Sequence, residues 1–270
     1  MVIVRARPPH RARAWLTTSG ARRVPEVTAL FWIIKGLSTA MGEASSDYLV
    51  HTLVPELAVA LGFAGFLAAL VLQFRMARYV AWTYWFAVVM VGTFGTMAAD
   101  VLHVALGVPY AVSTVLYAVV LVAVFVTWQR TEKTLSIHSI DTPRREAFYW
   151  AAVAATFAMG TALGDFTATT LHLGYFASAL LFAVVIAIPA LGYRLLGWNA
   201  VLSFWLAYVV TRPLGASIAD GLGKPKALGG LGFGDGWVAA VFGSLIVALV
   251  AYLAISESDV QAPAAESEQA

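Results

Sequence analysis

Cysteine is missing from all 270 residues, which excludes disulfide bracing and thiolate metal sites and removes the usual marker of redox compartment. Charge is scarce too. Asp, Glu, Lys and Arg make up 12% of the chain, about half the roughly 25% of a soluble domain, so no stretch reads as a water-soluble unit. Catalytic signatures are lacking: H-E-x-x-H, a Ser–Lys pair and G-x-S-x-G do not occur, and the chain is not expected to be an enzyme. Met1–Arg23 holds six arginines and no acid, but neither the apolar core nor the small-residue cleavage site of a signal peptide. No lysine falls in the last apolar block, and Lys35 lies early in the first, which disfavours a retinal-type pigment. No cofactor and no nucleic-acid partner are expected.

Apolar length is what the chain has in abundance. Hydrophobic residues make up 60% of it, and the mean hydropathy is +0.79. Blocks such as Leu57–Phe74, Tyr110–Trp128, Tyr175–Tyr193 and Trp237–Ile255 are about 18 to 20 residues long, enough to cross a hydrocarbon core of roughly 30 Å. The pattern predicts an all-α, polytopic membrane protein with helices near 26–48, 53–74, 79–104, 109–128, 147–170, 173–193, 200–222 and 237–255. Arg75, Arg78, Arg130, Lys133, Arg144, Arg145 and Arg194 fall in alternate connections. The positive-inside rule then places both termini in the cytoplasm of a bacterial inner membrane. Lys224 and Lys226 break the pattern, and are expected to be solvated rather than to gate the outer mouth. Segment 1–24 reads as a basic cytoplasmic arm, and 256–270 as a disordered acidic tail.

A repeat runs through the odd-numbered helices. Each has an aromatic–Trp pair, a Gly ten residues after the Trp and an Asp five after that. The copies are Phe31-Trp32, Gly42 and Asp47; Tyr84-Trp85, Gly95 and Asp100; Tyr149-Trp150, Gly160 and Asp165; Phe204-Trp205, Gly215 and Asp220. Four repeats follow, at 25–78, 79–140, 141–199 and 200–255. V-P-E-V-T-A-L-F-W-I-I-K (24–35), T-R-P-L-G-A-S-I-A-D (211–220) and the G-K-P-K-A-L-G-G-L-G that follows are the most distinctive stretches. In these the chain resembles the bacterial integral membrane proteins defined by a tandem repeat of unknown function, with two helices and a prominent Trp per repeat. The resemblance implies the architecture and no activity. The first copy departs from it, reading S-T-A-M-G-E where further Thr is expected.

Two spans per repeat give all four copies the same orientation, so the axis relating them lies along the membrane normal, unlike that of inverted-repeat transporters. A pseudo-fourfold bundle with odd helices inside and even helices toward lipid is the simplest packing. The tryptophans are expected to anchor at the interface or pack repeats, and the glycines to let helices approach closely.

Residues four apart share a helix face. Counting from each Trp, positions +3, +7, +11 and +15 are Lys35, Thr39, Glu43 and Asp47; Val88, Gly92, Thr96 and Asp100; Val153, Phe157, Thr161 and Asp165; Tyr208, Arg212, Ala216 and Asp220. Charges within a span face the interior and mark a pathway by default. Four Asp with Glu43, Thr39, Thr96 and Thr161 beneath them offer oxygen ligands for a hard cation. A metal set of Glu43, Asp47, Asp100, Asp165 and His103 would extend the range to Mn²⁺ or Zn²⁺. Crowded carboxylates also share protons, which suits proton coupling. The competing structural reading makes each Asp a cap for the next helix across a tight turn, and pairs Glu43 with Lys35.

The leading expectation is a proton-coupled permease or exporter of a cation, divalent metals included. A passive channel and a non-transporting scaffold or sensor stay open, and a carrier for a small organic anion or amino-acid-like solute, held by Lys35 and Arg212, is the runner-up. The expected partners are the lipid bilayer and a small solute or ion; homo-oligomerisation stays open.

Overall fold

The structure, a computed structural model, describes residues 21–261, and those residues contain eight long helices and no strand. In chain order they are α1 (Ala29–Thr52), α2 (Pro55–Arg75), α3 (Ala81–Asp100), α4 (Tyr110–Glu132), α5 (Pro143–Asp165), α6 (Tyr175–Leu196), α7 (Ala200–Gly223) and α8 (Asp235–Ser256). Local chemistry sets several starts. Thr28 caps α1 by accepting from the Phe31 amide at 3.2 Å. Thr142 does the same for α5 at 3.3 Å from the Arg145 amide, with Pro143 at the first helical position, where its missing N–H costs nothing. The Asn199 side chain accepts from the Val201 and Leu202 amides at 3.0 and 3.1 Å.

The odd helices form a closed ring in the order α1, α3, α5, α7 and back to α1. Each even helix leans mainly on the odd helix of the following repeat: α2 on α3, α4 on α5, α6 on α7, and α8 on α1. Burial divides accordingly. Leu61, Val71, Val115, Val119, Leu180, Val184, Val241 and Leu245 on the even helices are all exposed, and apolar side chains facing outward over a whole surface are what lipid requires. Seven of the helices are long and apolar enough to cross a membrane. The exception, α1, has 24 residues but carries Lys35, Glu43 and Asp47, all buried against its neighbours. The architecture is that of a multi-pass membrane protein with eight helices in four like-oriented pairs.

The repeat residues build two ring layers. In one, the aromatic before each Trp packs on the Trp of the next repeat: Phe31 on Trp85 at 5.7 Å, Tyr84 on Trp150 at 5.5 Å, Tyr149 on Trp205 at 6.0 Å and Phe204 on Trp32 at 5.6 Å between ring centroids. Trp85, Trp150 and Trp205 are buried, so these three pack repeats together rather than float at an interface. In the other, each repeat glycine faces the +7 residue of the next odd helix. A Cβ on Gly42 would lie 2.9 Å from the Gly92 carbonyl carbon, and one on Gly95 2.9 Å from the Phe157 Cβ. Gly160 meets Arg212 and Pro213 in the same way, and Gly215 meets Thr39 and Ala40. The glycines set helix spacing around the whole ring.

The termini are ordered closer to the ends than the sequence implies. Arg23 pairs with buried Glu146 at 2.7 Å, and Arg22 with Asp141 at 3.5 Å. The Tyr79 hydroxyl donates to Asp259 at 2.5 Å, and the Gln261 amide to the Pro25 carbonyl at 2.9 Å. The remainder of the basic arm, 1–20, and of the acidic tail, 262–270, lies outside the described residues.

Candidate functional site

The +3 to +15 stripe faces the ring interior and is layered. At the first level the Lys35 ammonium lies 4.0 Å from the Phe157 ring centroid and 4.2 Å from that of Tyr208. It is fully buried and its ammonium makes no hydrogen bond among the described residues. The expected Lys35–Glu43 pair is therefore not formed; aromatic faces hold the ammonium instead. Beside it the Tyr84 and Tyr149 hydroxyls meet at 2.5 Å, part of the aromatic layer that closes this end of the ring.

One turn further on, Arg212 organises the centre. It is fully buried. Its Nη2 donates to Glu43 Oε2 at 2.5 Å, to Thr161 Oγ1 at 2.6 Å and to Thr96 Oγ1, while Nη1 donates to the Thr39 carbonyl at 3.2 Å. The Thr96 hydroxyl reaches Glu43 Oε2 at 3.3 Å. One guanidinium thus gathers the +11 residues of the first three repeats. The fourth copy has Ala216 at that level, which leaves room for the Arg212 side chain arriving from its own +7 position. Thr39 directs its hydroxyl to the Gly36 carbonyl at 2.6 Å, and takes part through its backbone.

Beyond this layer lies a cavity of about 700 Å³, lined by all four repeat aspartates and by Glu43. Its rim consists of His51, Pro55, Ala105, Pro225 and Leu228, at the ends and connections remote from the aromatic layer. Lys35 and Arg212 do not line it. Carboxylate oxygens of Glu43, Asp47 and Asp220 lie within 4.8 Å of one another, a spacing that can hold a cation. The Asp100 and Asp165 side chains line the same cavity and make no hydrogen bond or ion pair among the described residues. Both stand where α3 and α5 widen into single π-turns, Val101–Ala105 and Phe166–Thr170, a local backbone change frequent at functional sites. None of the four Asp side chains caps the described helix that follows it: α2, α4, α6 and α8 start after Val54, Pro109, Gly174 and Gly234 with no side-chain cap. Their shared position is thus not explained by capping.

His103 is not brought to the carboxylates: its Nδ1 lies 2.8 Å from the Val108 carbonyl, and its ring stacks on Tyr110 at 3.6 Å. The turn after Asp100 carries it away from the axis. Lys224 corrects a second expectation. Rather than being solvated, its Nζ donates to Asp47 Oδ2 at 2.5 Å and lies 4.0 Å from Asp220 Oδ1. Partial burial works against its charge, but Asp47, Asp220 and the nearby Asp235 outweigh that and push its pKa above the ordinary lysine value. Its one visible signal in the sequence is that, with Lys226, it breaks the alternation of basic connections.

No curated protein and no solved structure matches the chain. A family model described as a Repeat of Unknown Function (DUF347) matches it four times, over residues 30–79, 83–134, 148–196 and 203–259. Those four segments coincide with the four helix pairs of the ring, and the chain belongs to that repeat family.

Proposed function

We propose that this chain is a proton-coupled cation permease of a bacterial inner membrane, with both termini cytoplasmic and a cargo site at Glu43, Asp47 and Asp220. The observation that supports the reading is the convergence of four Asp from four repeats, with Glu43, on one cavity that reaches one end of the bundle. Among the described residues, two of the four carboxylates have no hydrogen-bond or ion-pair partner, and none caps a helix. Acids within membrane-spanning helices that have no structural duty, here the half-buried Asp100 and Asp165, are the usual mark of an ion or proton path.

The arrangement also favours a carrier over a channel. The cavity reaches the Arg212 level, and the aromatic layer closes the ring beyond it. Like-oriented repeats can rock against one another about a fixed central site, opening one end as the other closes. Arg212 is paired with Glu43, Lys224 with Asp47, and neither Lys35 nor Arg212 lines the cavity, so the anion reading has less support than the cation one.

Proteoliposomes loaded with a pH-sensitive dye test this. The chain is challenged with a panel of alkali, alkaline-earth and transition-metal ions and organic ammonium ions, with and without a pH gradient. At least one cation is expected to move protons in the wild type, with loss of more than about 90% of the flux in Asp47→Asn or Asp220→Asn. A flat dye signal for the whole panel overturns the reading.

A further inference from the structure

The cavity already holds one alkylammonium, and it belongs to the protein. The connection after α7 folds back on its own start: the Leu231 amide donates to the Gly221 carbonyl at 2.8 Å and the Gly232 amide to the Lys224 carbonyl at 2.9 Å. This fixes the Lys224 backbone at the rim, and its four-carbon stem carries the ammonium down to Asp47 and Asp220. What the carboxylates receive is thus a primary ammonium on a hydrocarbon chain.

The rest of the cavity fits the same chemistry. A divalent ion with six waters needs only about 200 Å³ at roughly 30 Å³ per water. The volume here is about 700 Å³, within the ordinary range for a small organic ligand. The walls include Val50, Val59, Met97, Val101 and Val104, with the rings of Tyr110 and Tyr175. Such surfaces suit methylene groups and the faces of a cation–π contact better than the water shell of a metal ion. The oxygen cluster is also poor for a bare dication. Glu43 already accepts from Arg212 at 2.5 Å, which leaves a fixed positive charge beside one of the three acids. Asp100 and Asp165, on the next two repeats, form no ion pair among the described residues.

Resting on the permease reading, we infer that the cargo is an organic amine, a linear diamine above all, and that Lys224 is a tethered stand-in that the cargo displaces. One cargo ammonium takes the place of Nζ at Asp47 and Asp220, the methylenes lie along the valine walls, and the second ammonium meets Asp100 and Asp165. Until cargo displaces it, Lys224 keeps Asp47 and Asp220 paired.

Calorimetric binding to the full chain in nanodiscs tests this, with 1,4-diaminobutane, butylamine, Mn²⁺ and Mg²⁺ as probes. The diamine is expected to bind at least about tenfold tighter than butylamine, and Asp100→Asn to erase that margin while keeping butylamine binding. A tether acts as a competitor at an effective concentration on the millimolar scale, so Lys224→Met is expected to tighten amine binding about tenfold. The wild-type comparison decides the matter even if a variant fails to fold. Metal binding without amine binding overturns this inference and leaves the permease reading standing. Silence from every probe overturns this inference, while the permease reading falls only if the whole flux panel is flat as well.

Discussion

Arg212 is the residue on which the interior depends, because it is a fully buried charge whose one ionic partner among the described residues is Glu43. Removing one member of a buried pair strands the other, at a typical cost of 3–5 kcal/mol, whereas replacing both can be nearly neutral. The neighbouring threonines do not need the guanidinium: Thr96 also donates to the Gly92 carbonyl at 3.0 Å and Thr161 to the Phe157 carbonyl at 3.1 Å. Arg212→Met is therefore expected to lower stability in detergent by about 3–5 kcal/mol. Adding Glu43→Gln is expected to restore at least about 1 kcal/mol of it, a non-additivity visible in a double-mutant cycle of unfolding midpoints. At this scale the sequence was half legible. Spacing from the Trp placed Glu43, Thr96, Thr161 and Asp220 on one face, because a helix keeps its period. It could not show that an arginine from the +7 level would reach up to the +11 level, because that depends on the length and rotamer of one flexible side chain. Lys224 escaped for the same reason: its place is set by a folded-back loop and a long stem.

The Asp259–Tyr79 contact is a second residue-scale device, and it titrates. Burial raises the Asp259 carboxyl above its ordinary range, despite the hydrogen bond from Tyr79 that works the other way. Burial and the charge of Asp259 raise the Tyr79 phenol, so it remains a donor. A folded-state value above the unfolded one means that protonated Asp259 favours the docked tail. That contribution is complete below the unfolded carboxyl pKa, near 4, and is lost as pH rises through the raised value. Protease cleavage after residue 256 is expected to be slower at pH 4.5 than at pH 7.5, for a protease whose own rate is normalised at each pH. In Asp259→Asn, which keeps an acceptor without titrating, that difference should shrink; an unchanged difference would show that other groups control the tail.

Among the elements, close approach joins the odd helices at every seam of the ring, in addition to the central Arg212 contacts. Gly42 and Gly36 make a matched pair on α1. A Cβ at Gly42 would meet the backbone of Gly92 at 2.9 Å, which cannot rotate away, while at Gly36 nothing lies within 4 Å. Gly42→Ala must push α1 from α3 and is expected to cost about 1–3 kcal/mol. Gly36→Ala is expected to be neutral or to gain up to about 1 kcal/mol from better helix propensity. Thermal unfolding followed by circular dichroism separates the two. The spacing of these glycines was legible because a periodic small residue on an apolar helix has few other uses. The even helices were legible only as lengths of apolar sequence: lipid accepts almost any apolar side chain, so their partners left no pattern to read. That each one leans on the following repeat's odd helix follows from packing alone.

For the whole molecule, the ring predicts a difference in access between its two ends. Thr169 lines the cavity and is exposed, whereas Val88 is fully buried between the aromatic layer and the Arg212 level. The lack of cysteine makes the native chain a clean background for single-cysteine labelling. In vesicles of known orientation, a membrane-impermeant maleimide is expected to label Thr169→Cys from the side opposite the termini. Val88→Cys should stay unlabelled from either side at rest. If the repeats rock as a carrier requires, adding a transported cation with an opposing pH gradient should raise labelling at Val88→Cys from the terminal side and slow it at Thr169→Cys, since one cavity cannot face both ways. A pore would behave otherwise: both positions would label together and from both faces, and cargo would compete at each without shifting access from one end to the other. The aromatic layer therefore becomes testable as a gate, because it makes the two labelling rates move in opposite directions.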